Sequence, residues 1–118
     1  MAKRPHKYTR KLQFDQKTRK RIHERDHGEC IFCVMGYHME YISGMIPEKD
    51  IMHFIPRSQM GLGIEQNGAL GCREHHELLD NGNKGLRQEM LAMFETYLRA
   101  HYPEWDREKL VYRKYDFF

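Results

Sequence analysis

The clearest pattern of apolar positions lies near the C-terminal end of the chain. Apolar residues follow the i, i+3, i+4 spacing of one helical face there, at Leu86, Met90, Met93, Phe94, Tyr97 and Leu98. This spacing predicts an amphipathic helix over about residues 84–101, because side chains three and four positions apart share one side of a helix. Pro103 is expected to end this helix.

Capping residues predict a second helix nearer the N-terminus. Asp15 can accept hydrogen bonds from the first helical amides, so a helix is expected over residues 16–27, ended by Gly28. Its apolar content is low, and we expect only Phe14 and Ile22 to face inward.

The middle of the chain is predicted to form short strands around a glycine-rich loop. Residues 37–42 suggest one strand, and residues 50–55 suggest another that Pro56 ends. Residues 67–71 can return beside the latter as the second strand of a hairpin, across the loop at 57–66. A further short helix is expected after this hairpin, so the sequence predicts an α+β fold.

Charge is distributed unevenly along the chain. Residues 1–29 carry a balance of +6, counting lysine and arginine against aspartate and glutamate, whereas residues 30–83 carry −4. Residues 1–14 are predicted to be a flexible basic arm ahead of a single domain over residues 15–118. A basic arm before an acidic, histidine-containing centre is typical of a protein that attracts a polyanion and holds cations.

Composition excludes several classes of protein. With 118 residues, 40% hydrophobic and 31% charged, the chain has the balance of a globular domain. No apolar run approaches the roughly 18 residues of a transmembrane helix, and no secretory signal follows the N-terminal basic residues. An odd count of three cysteines argues against a disulfide framework. We therefore expect a cytoplasmic protein with no membrane partner.

The three cysteines fall into two short motifs. Cys30-x-x-Cys33 and Cys72-x-x-His75 together offer three thiolates and one imidazole. Two such motifs can place four ligands around Zn²⁺, and a structural zinc would contribute to folding in a small chain. The alternatives are ordinary buried cysteines beside a surface histidine, or a redox Cys-x-x-Cys pair.

A second group of polar residues accompanies the predicted zinc ligands. His76 and Asp80 are four positions apart on the predicted short helix, so they share one face and can hold one cation. Asp50 and His53 lie on the first strand of the predicted hairpin, and Asn67 lies on the second. A hairpin packed on that helix would bring all five residues together over a metal ion. Taken singly, each is also an ordinary turn or helix-surface residue.

In this order the motifs resemble the HNH endonucleases, or ββα-metal nucleases, over about residues 30–82. The similarity rests on Cys-x-x-Cys, then His53-Phe-Ile-Pro-Arg-Ser, then Gly-Leu-Gly-Ile-Glu-Gln-Asn67, then Cys72-x-x-His75-His76 and Asp80-Asn-Gly. It is strongest to the small HNH proteins of bacteriophages and their hosts, which implies a bacterial host cell. The implied fold is a ββα-metal core with a zinc-binding double knuckle, flanked by the N-terminal basic helix and the C-terminal amphipathic helix.

The resemblance implies a role for each matching residue. His53 stands where the family has its general base, and Asn67 where it has the residue that fixes the loop and orients the base. His76 and Asp80 correspond to ligands of the catalytic metal. The cysteine motifs with His75 correspond to the structural zinc of many members.

One departure affects the predicted catalytic metal site. The position directly before the base is usually a His or Asp ligand, but it is Met52 here, and a thioether binds hard cations poorly. Asp50, on the same strand face, is the predicted substitute. The expected ligands are then Asp50, His76 and Asp80, with Mg²⁺ or Mn²⁺ as the ion and Ni²⁺ or Zn²⁺ as alternatives.

The implied activity is hydrolysis of DNA phosphodiester bonds, by nicking or by double-strand cleavage. A neutral His53 would take a proton from the water that attacks the phosphorus. Double-stranded DNA would be held by Lys17, Arg21 and Arg25 of the basic helix, and Arg57 is expected to contact the phosphate beside the cut.

Two other functions stay open from the sequence. A non-catalytic zinc-ribbon module that binds nucleic acid would explain the cysteine motifs and the basic arm, but not His53, Asn67, His76 and Asp80. A component of a phage packaging complex, docked through the C-terminal helix, is compatible with nuclease activity. The sequence does not distinguish a monomer from a homodimer.

Overall fold

The computed structural model describes residues 7–42, 48–81 and 85–113, with side chains from residue 10 onward. It shows a small α+β protein in which a two-stranded antiparallel sheet packs among helices. In chain order the elements are α1 (Lys7–Leu12), α2 (Gln16–Arg25), α3 (Ile31–Val34), β1 (Lys49–His53), β2 (Gly68–Cys72), α4 (Arg73–Asn81) and α5 (Arg87–His101). Short 3₁₀ helices lie at Met39–Tyr41, Arg57–Gln59, Glu65–Asn67 and Arg107–Leu110. None of the helices in these ranges has the length and apolar content to cross a membrane.

The hairpin predicted in the middle of the chain is present, and its two faces pack against different helices. Ile51 and Leu70, which are paired across the strands, cluster with Phe14 and Ile22 on the side of α2. Successive side chains of a strand point to opposite faces, so Met52 joins the larger core on the other side. That core includes buried residues of α3, α4 and α5, among them Phe32, Leu79, Met90, Phe94 and Leu98.

Both longer helices predicted from the sequence are present within narrower bounds. The Asp15 carboxylate accepts the Thr18 amide at 2.8 Å, which caps the start of α2 as predicted. α2 ends early because His27 and Gly28 both take positive φ, at 55° and 68°. The predicted apolar face of α5 is buried at Met90, Phe94 and Leu98.

The strand predicted over residues 37–42 is wrong. The chain forms a turn there, followed by the 3₁₀ helix Met39–Tyr41. Gly36 and His38 have positive φ, at 69° and 42°, which reverses the chain after α3 and is incompatible with an extended strand. Alternating polarity over six residues therefore indicates a strand only when the backbone can stay extended.

The flexible arm predicted over residues 1–14 is corrected in part. Residues 1–6 lie outside the described residues, but Lys7–Leu12 is a helix. Leu12 and Phe14 are buried. These two apolar side chains fix the end of the segment to the domain. Phe14 faces inward as expected, whereas the burial of Leu12 was not predicted.

Candidate metal centre and adjoining cleft

Four potential metal ligands meet where α3, β2 and α4 come together. Cys30 precedes α3 and Cys33 lies within it, while Cys72 ends β2 and His75 lies in the first turn of α4. One ligand atom from each residue lies within 4.8 Å of all the others. The fold thus brings the two sequence motifs to one point.

The spacing of these atoms matches a tetrahedral zinc site. The sulfurs of Cys33 and Cys72 are 3.8 Å apart. Nδ1 of His75 lies 3.5 Å from the sulfurs of Cys30 and Cys33 and 3.2 Å from the third sulfur. With Zn–S bonds of about 2.3 Å and a Zn–N bond of about 2.0 Å, a tetrahedron has S···S edges of about 3.8 Å and S···N edges of about 3.5 Å.

The surroundings of His75 determine which ring nitrogen faces the cysteines. Its Nε2–H donates to the Tyr37 carbonyl at 2.6 Å, so Nδ1 is the unprotonated nitrogen of the neutral ring. Metal-binding histidines typically make such a second contact, because it fixes the ring for ligation. The Tyr37 hydroxyl in turn donates to Glu89 of α5 at 2.8 Å, which holds the whole turn in place.

Three thiols meet in this group, and the one at Cys33 resists ionisation unless a cation is present. Burial, together with the neighbouring thiols of Cys30 and Cys72, raises the pKa of Cys33. A bound divalent ion would displace these protons, since thiolates are the ligand form. Within residues 7–42, 48–81 and 85–113, this is the one group of three or more His, Cys, Asp or Glu that converges in this way. Three sulfurs and one imidazole could hold a metal ion such as Zn²⁺.

A second polar site lies in an open cleft of about 410 Å³ between β1 and α4. The His76 ring lies between two carboxylates there: its Nε2 is 2.9 Å from Asp80 and its Nδ1 is 3.7 Å from Asp50. The structure therefore brings together the three residues predicted to bind a catalytic cation. Because the carboxylates contact opposite ring nitrogens, the three ligand atoms do not converge on one point.

Met52, the residue directly before His53, stands where HNH endonucleases usually have a metal ligand, and it lies inside the core. Met52 is fully buried, and a Cβ at Gly71 would lie 2.3 Å from its sulfur, so this methionine fills the space beside β2. Asp50 lies two residues earlier on the same strand face, where β1 is exposed. Its carboxylate therefore reaches His76 from outside the core.

His53 ends β1 on the opposite strand face, with its ring centroid 4.3 Å from that of Phe14. Its Nε2–H donates to the Leu12 carbonyl at 2.9 Å, at the C-terminal end of α1. A carbonyl only accepts, so Nδ1 is unprotonated in the neutral ring. Burial lowers the pKa of His53, although the Leu12 contact opposes this effect. The charge of Arg57 lowers this pKa further, while the Asp80 carboxylate of the cleft raises it.

Asn67 is fully buried and holds the loop that follows β1. Its Oδ1 accepts the Ile55 amide at 2.8 Å, and its Nδ2 donates to the carbonyls of Ile55 and Leu62 at 3.1 and 2.8 Å. These hydrogen bonds hold both ends of the loop that joins β1 to β2, beginning two residues after His53. Asn67 ends the 3₁₀ helix before β2 and does not lie on the second strand as predicted, and its contacts hold the loop.

Three of the four predicted DNA contacts, Lys17, Arg21 and Arg57, are exposed. The fourth prediction, Arg25, is corrected: its side chain is only 9% exposed and its donors are used inside the protein. The spacing of Lys17, Arg21 and Arg25 identifies a shared helix face. The C-terminal part of that face lies against the hairpin and the aromatic rings of α5, which the spacing does not reveal.

A buried ion pair between Arg25 and Asp26 ties the end of α2 to the rest of the core. Arg25 donates to Asp26 at 2.7 Å and to the Gly68 carbonyl at 2.6 Å. Asp26 accepts the Leu70 amide at 2.9 Å and also the Tyr97 hydroxyl. Sequence reasoning missed this pair. Its one signal is an acid at a helix C-terminus, where the helix dipole disfavours negative charge unless a partner compensates.

Replacing Asp26 by asparagine is expected to lower the free energy of unfolding by about 3 kcal/mol, because Arg25 would stay buried without its charge partner. Chemical denaturation followed by circular dichroism measures this change. Glu24→Gln, at an exposed position of the same helix, is the matched control and should change stability by less than about 0.5 kcal/mol. Equal stability of the two variants would contradict a structural role for the pair.

The chain matches no protein family, no curated protein and no solved structure. The structure by itself shows a small α+β protein with a two-stranded antiparallel sheet. It also shows a Cys₃His group that could hold a metal ion such as zinc, beside a cleft with one histidine and two carboxylates.

Proposed function

We propose that this protein is a metal-dependent endonuclease of the HNH type that hydrolyses phosphodiester bonds in DNA. The observation that carries the proposal is the placement of His53, whose ring has one nitrogen fixed on the Leu12 carbonyl and the other unprotonated. The same hairpin, with α4, brings His76 and Asp80 within electrostatic reach of that ring. A base beside a histidine–carboxylate pair supplies the groups that phosphodiester hydrolysis needs.

His53 acts as the general base in this proposal. Its Nδ1 accepts a proton from the water molecule that attacks the phosphorus, and its lowered pKa keeps the ring neutral near pH 7. The contact with Leu12 holds the reactive tautomer and stabilises the positive charge that the ring acquires. Asn67 keeps the following loop in shape, so that the ring stays at the end of β1.

The cleft supplies donors for a cation. A divalent ion, Mg²⁺ or Mn²⁺ with Ni²⁺ or Zn²⁺ as alternatives, would be held by Asp50, His76 and Asp80 and would offset charge on the phosphate. Carboxylate oxygens and an imidazole nitrogen are ligand types that such an ion accepts. The side chains of Asp50 and Asp80 are 65% and 57% exposed, so both can rotate towards a shared ion. In the Cys₃His group, Zn²⁺ would anchor α3 to the start of α4, next to His76.

A second candidate function is a non-catalytic zinc-binding module that binds nucleic acid. Two observations favour it: Met52 is buried where the HNH family usually has a ligand, and the carboxylates of the cleft contact opposite nitrogens of His76.

Supercoiled plasmid and zinc-loaded protein, with and without Mg²⁺ or Mn²⁺, test the proposal. We expect nicked or linear DNA only when the ion is added, and the ratio of these products distinguishes nicking from double-strand cleavage. Asp80→Asn is expected to lower the cleavage rate about 100-fold, because it removes a charged ligand.

The matched control is Glu104→Gln, which neutralises an exposed carboxylate in the turn after α5 and should cleave as the wild type does. If no added ion supports cleavage while the protein still binds DNA, the binding module becomes the better assignment. Cleavage by Asp80→Asn at the wild-type rate would contradict the assignment of Asp80 as a ligand of the catalytic ion.

A further inference from the structure

A groove of about 540 Å³ lies on the side of the molecule where α1 ends. Its cationic side chains come from two distant parts of the chain, Arg10 and Lys11 from the last turn of α1 and Arg113 from the C-terminal segment. All three are exposed. The fold therefore places three positive charges, separate in sequence, around one concave surface.

Backbone hydrogen bonds between three segments hold the groove in shape. The Leu62 amide donates to the Leu110 carbonyl at 2.7 Å, and the Tyr112 amide donates to the Met60 carbonyl at 2.8 Å. On the other side, the Gly63 amide donates to the Lys11 carbonyl at 2.8 Å. A Cβ at Gly63 would lie 2.1 Å from the Gln13 carbonyl oxygen, so this close approach requires glycine.

The charges that line the groove favour an anionic occupant. Asp15 is the one carboxylate among the lining residues in the described ranges, and it accepts the Thr18 amide at 2.8 Å as the cap of α2. Lys11 lies over the Tyr112 ring, with its nitrogen 5.6 Å from the ring centroid. The helix dipole also favours basic residues in the last turn of α1, but that effect does not account for Arg113, which comes from the C-terminal segment.

The segment that lines one part of the groove also contacts the proposed base. Leu12, whose carbonyl accepts the His53 Nε2–H, stands between Lys11 and Gln13, which both line the groove. By contrast, the cleft between β1 and α4 has four carboxylates, at Glu48, Asp50, Glu77 and Asp80, against two cations, Lys49 and Arg73. Its charge balance is therefore negative, whereas that of the groove is positive, so a polyanion is attracted to the groove side.

We propose that this groove binds the phosphodiester backbone of double-stranded DNA, with Arg10, Lys11 and Arg113 contacting phosphates next to the cleaved strand. The inference rests on the proposed nuclease function and assigns the position of its substrate. The groove provides phosphate contacts that the buried Arg25 cannot make. α1 then has two functions, since its last turn both orients His53 and binds the DNA backbone.

Binding of a fluorescent DNA duplex to the zinc-loaded protein, without added Mg²⁺ or Mn²⁺, tests this inference separately from cleavage. Changing Arg10 and Arg113 together to glutamine is expected to weaken binding about tenfold near 0.1 M salt. The slope of log affinity against log salt should become shallower by about 2, because each lost phosphate contact removes about 0.9. Lys109→Gln with Arg99→Gln removes two exposed charges outside the groove and outside α2, and should leave both quantities unchanged.

Binding and salt slope unchanged in the Arg10 and Arg113 double variant would overturn the inference, whatever the plasmid assay shows. Equal weakening by the control pair would also overturn it, because net charge rather than the groove would then explain affinity. A duplex RNA bound more tightly than the DNA, with the same loss in the double variant, would assign the groove to RNA and reject DNA as its occupant. Unchanged circular dichroism of both double variants confirms that folding is not the cause.

Discussion

Replacing His53 by alanine is expected to lower the metal-dependent cleavage rate about 1,000-fold, within the range that a general base contributes. The variant has no nitrogen at the end of β1 to accept the proton of the attacking water. It should still fold, because the change removes one hydrogen bond to Leu12 and one ring contact with Phe14, together worth about 2 kcal/mol. Single-turnover conversion of supercoiled plasmid measures the rate.

The matched control for this variant is His23→Ala, which removes an exposed imidazole from α2 and should leave the cleavage rate unchanged. Thermal melting of both variants separates a loss of catalysis from a loss of structure. Cleavage by folded His53→Ala at the wild-type rate would show that another group takes the proton.

The pH dependence of cleavage gives an independent measurement of the same residue. A general base works in its neutral form, and burial lowers the pKa of His53 below its usual 6.5. The rate should therefore stay level as the pH falls to about that value and decrease only below it, where the ring becomes protonated. His53→Ala should lose this acidic decrease. A decrease that begins well above pH 7 would contradict the assignment.

Removing the metal from the Cys₃His group is expected to unfold the protein. Structural zinc contributes about 10–16 kcal/mol of apparent binding free energy in small zinc domains, whereas whole domains are stable by about 5–15 kcal/mol. Loss of the ion would also remove the link that joins Cys30, at the start of α3, to Cys72 of β2 and His75 of α4. Circular dichroism after treatment with a chelator measures the loss of helix, and added Zn²⁺ should restore it.

His75→Asn is the corresponding variant, and His38→Asn, at a partly exposed histidine that contacts Glu40, is its matched control. We expect His75→Asn to bind less than one equivalent of Zn²⁺ and to melt at a much lower temperature, while the control behaves as the wild type. A protein that contains no metal as purified and melts at the same temperature with or without Zn²⁺ would contradict a structural zinc.

Local patterns predicted the parts of the fold that depend on neighbouring residues. The Asp15 cap of α2, the apolar face of α5 and the hairpin of β1 and β2 are confirmed. Each follows from backbone periodicity or from a capping hydrogen bond within a few residues. The two cysteine motifs were equally visible, because the short spacing within each motif limits where its ligands can lie.

Local patterns thus predict the α+β character, the main helices, the hairpin and the Cys₃His group. Three features follow only from the packing of the whole chain: Arg25 is buried against β2, Leu12 positions His53, and Met52 lies in the core. These outcomes depend on contacts between residues about 40 or more positions apart, or on which strand face meets a helix. No local pattern contains that information, because burial is set by what packs against a residue and not by its neighbours in the chain.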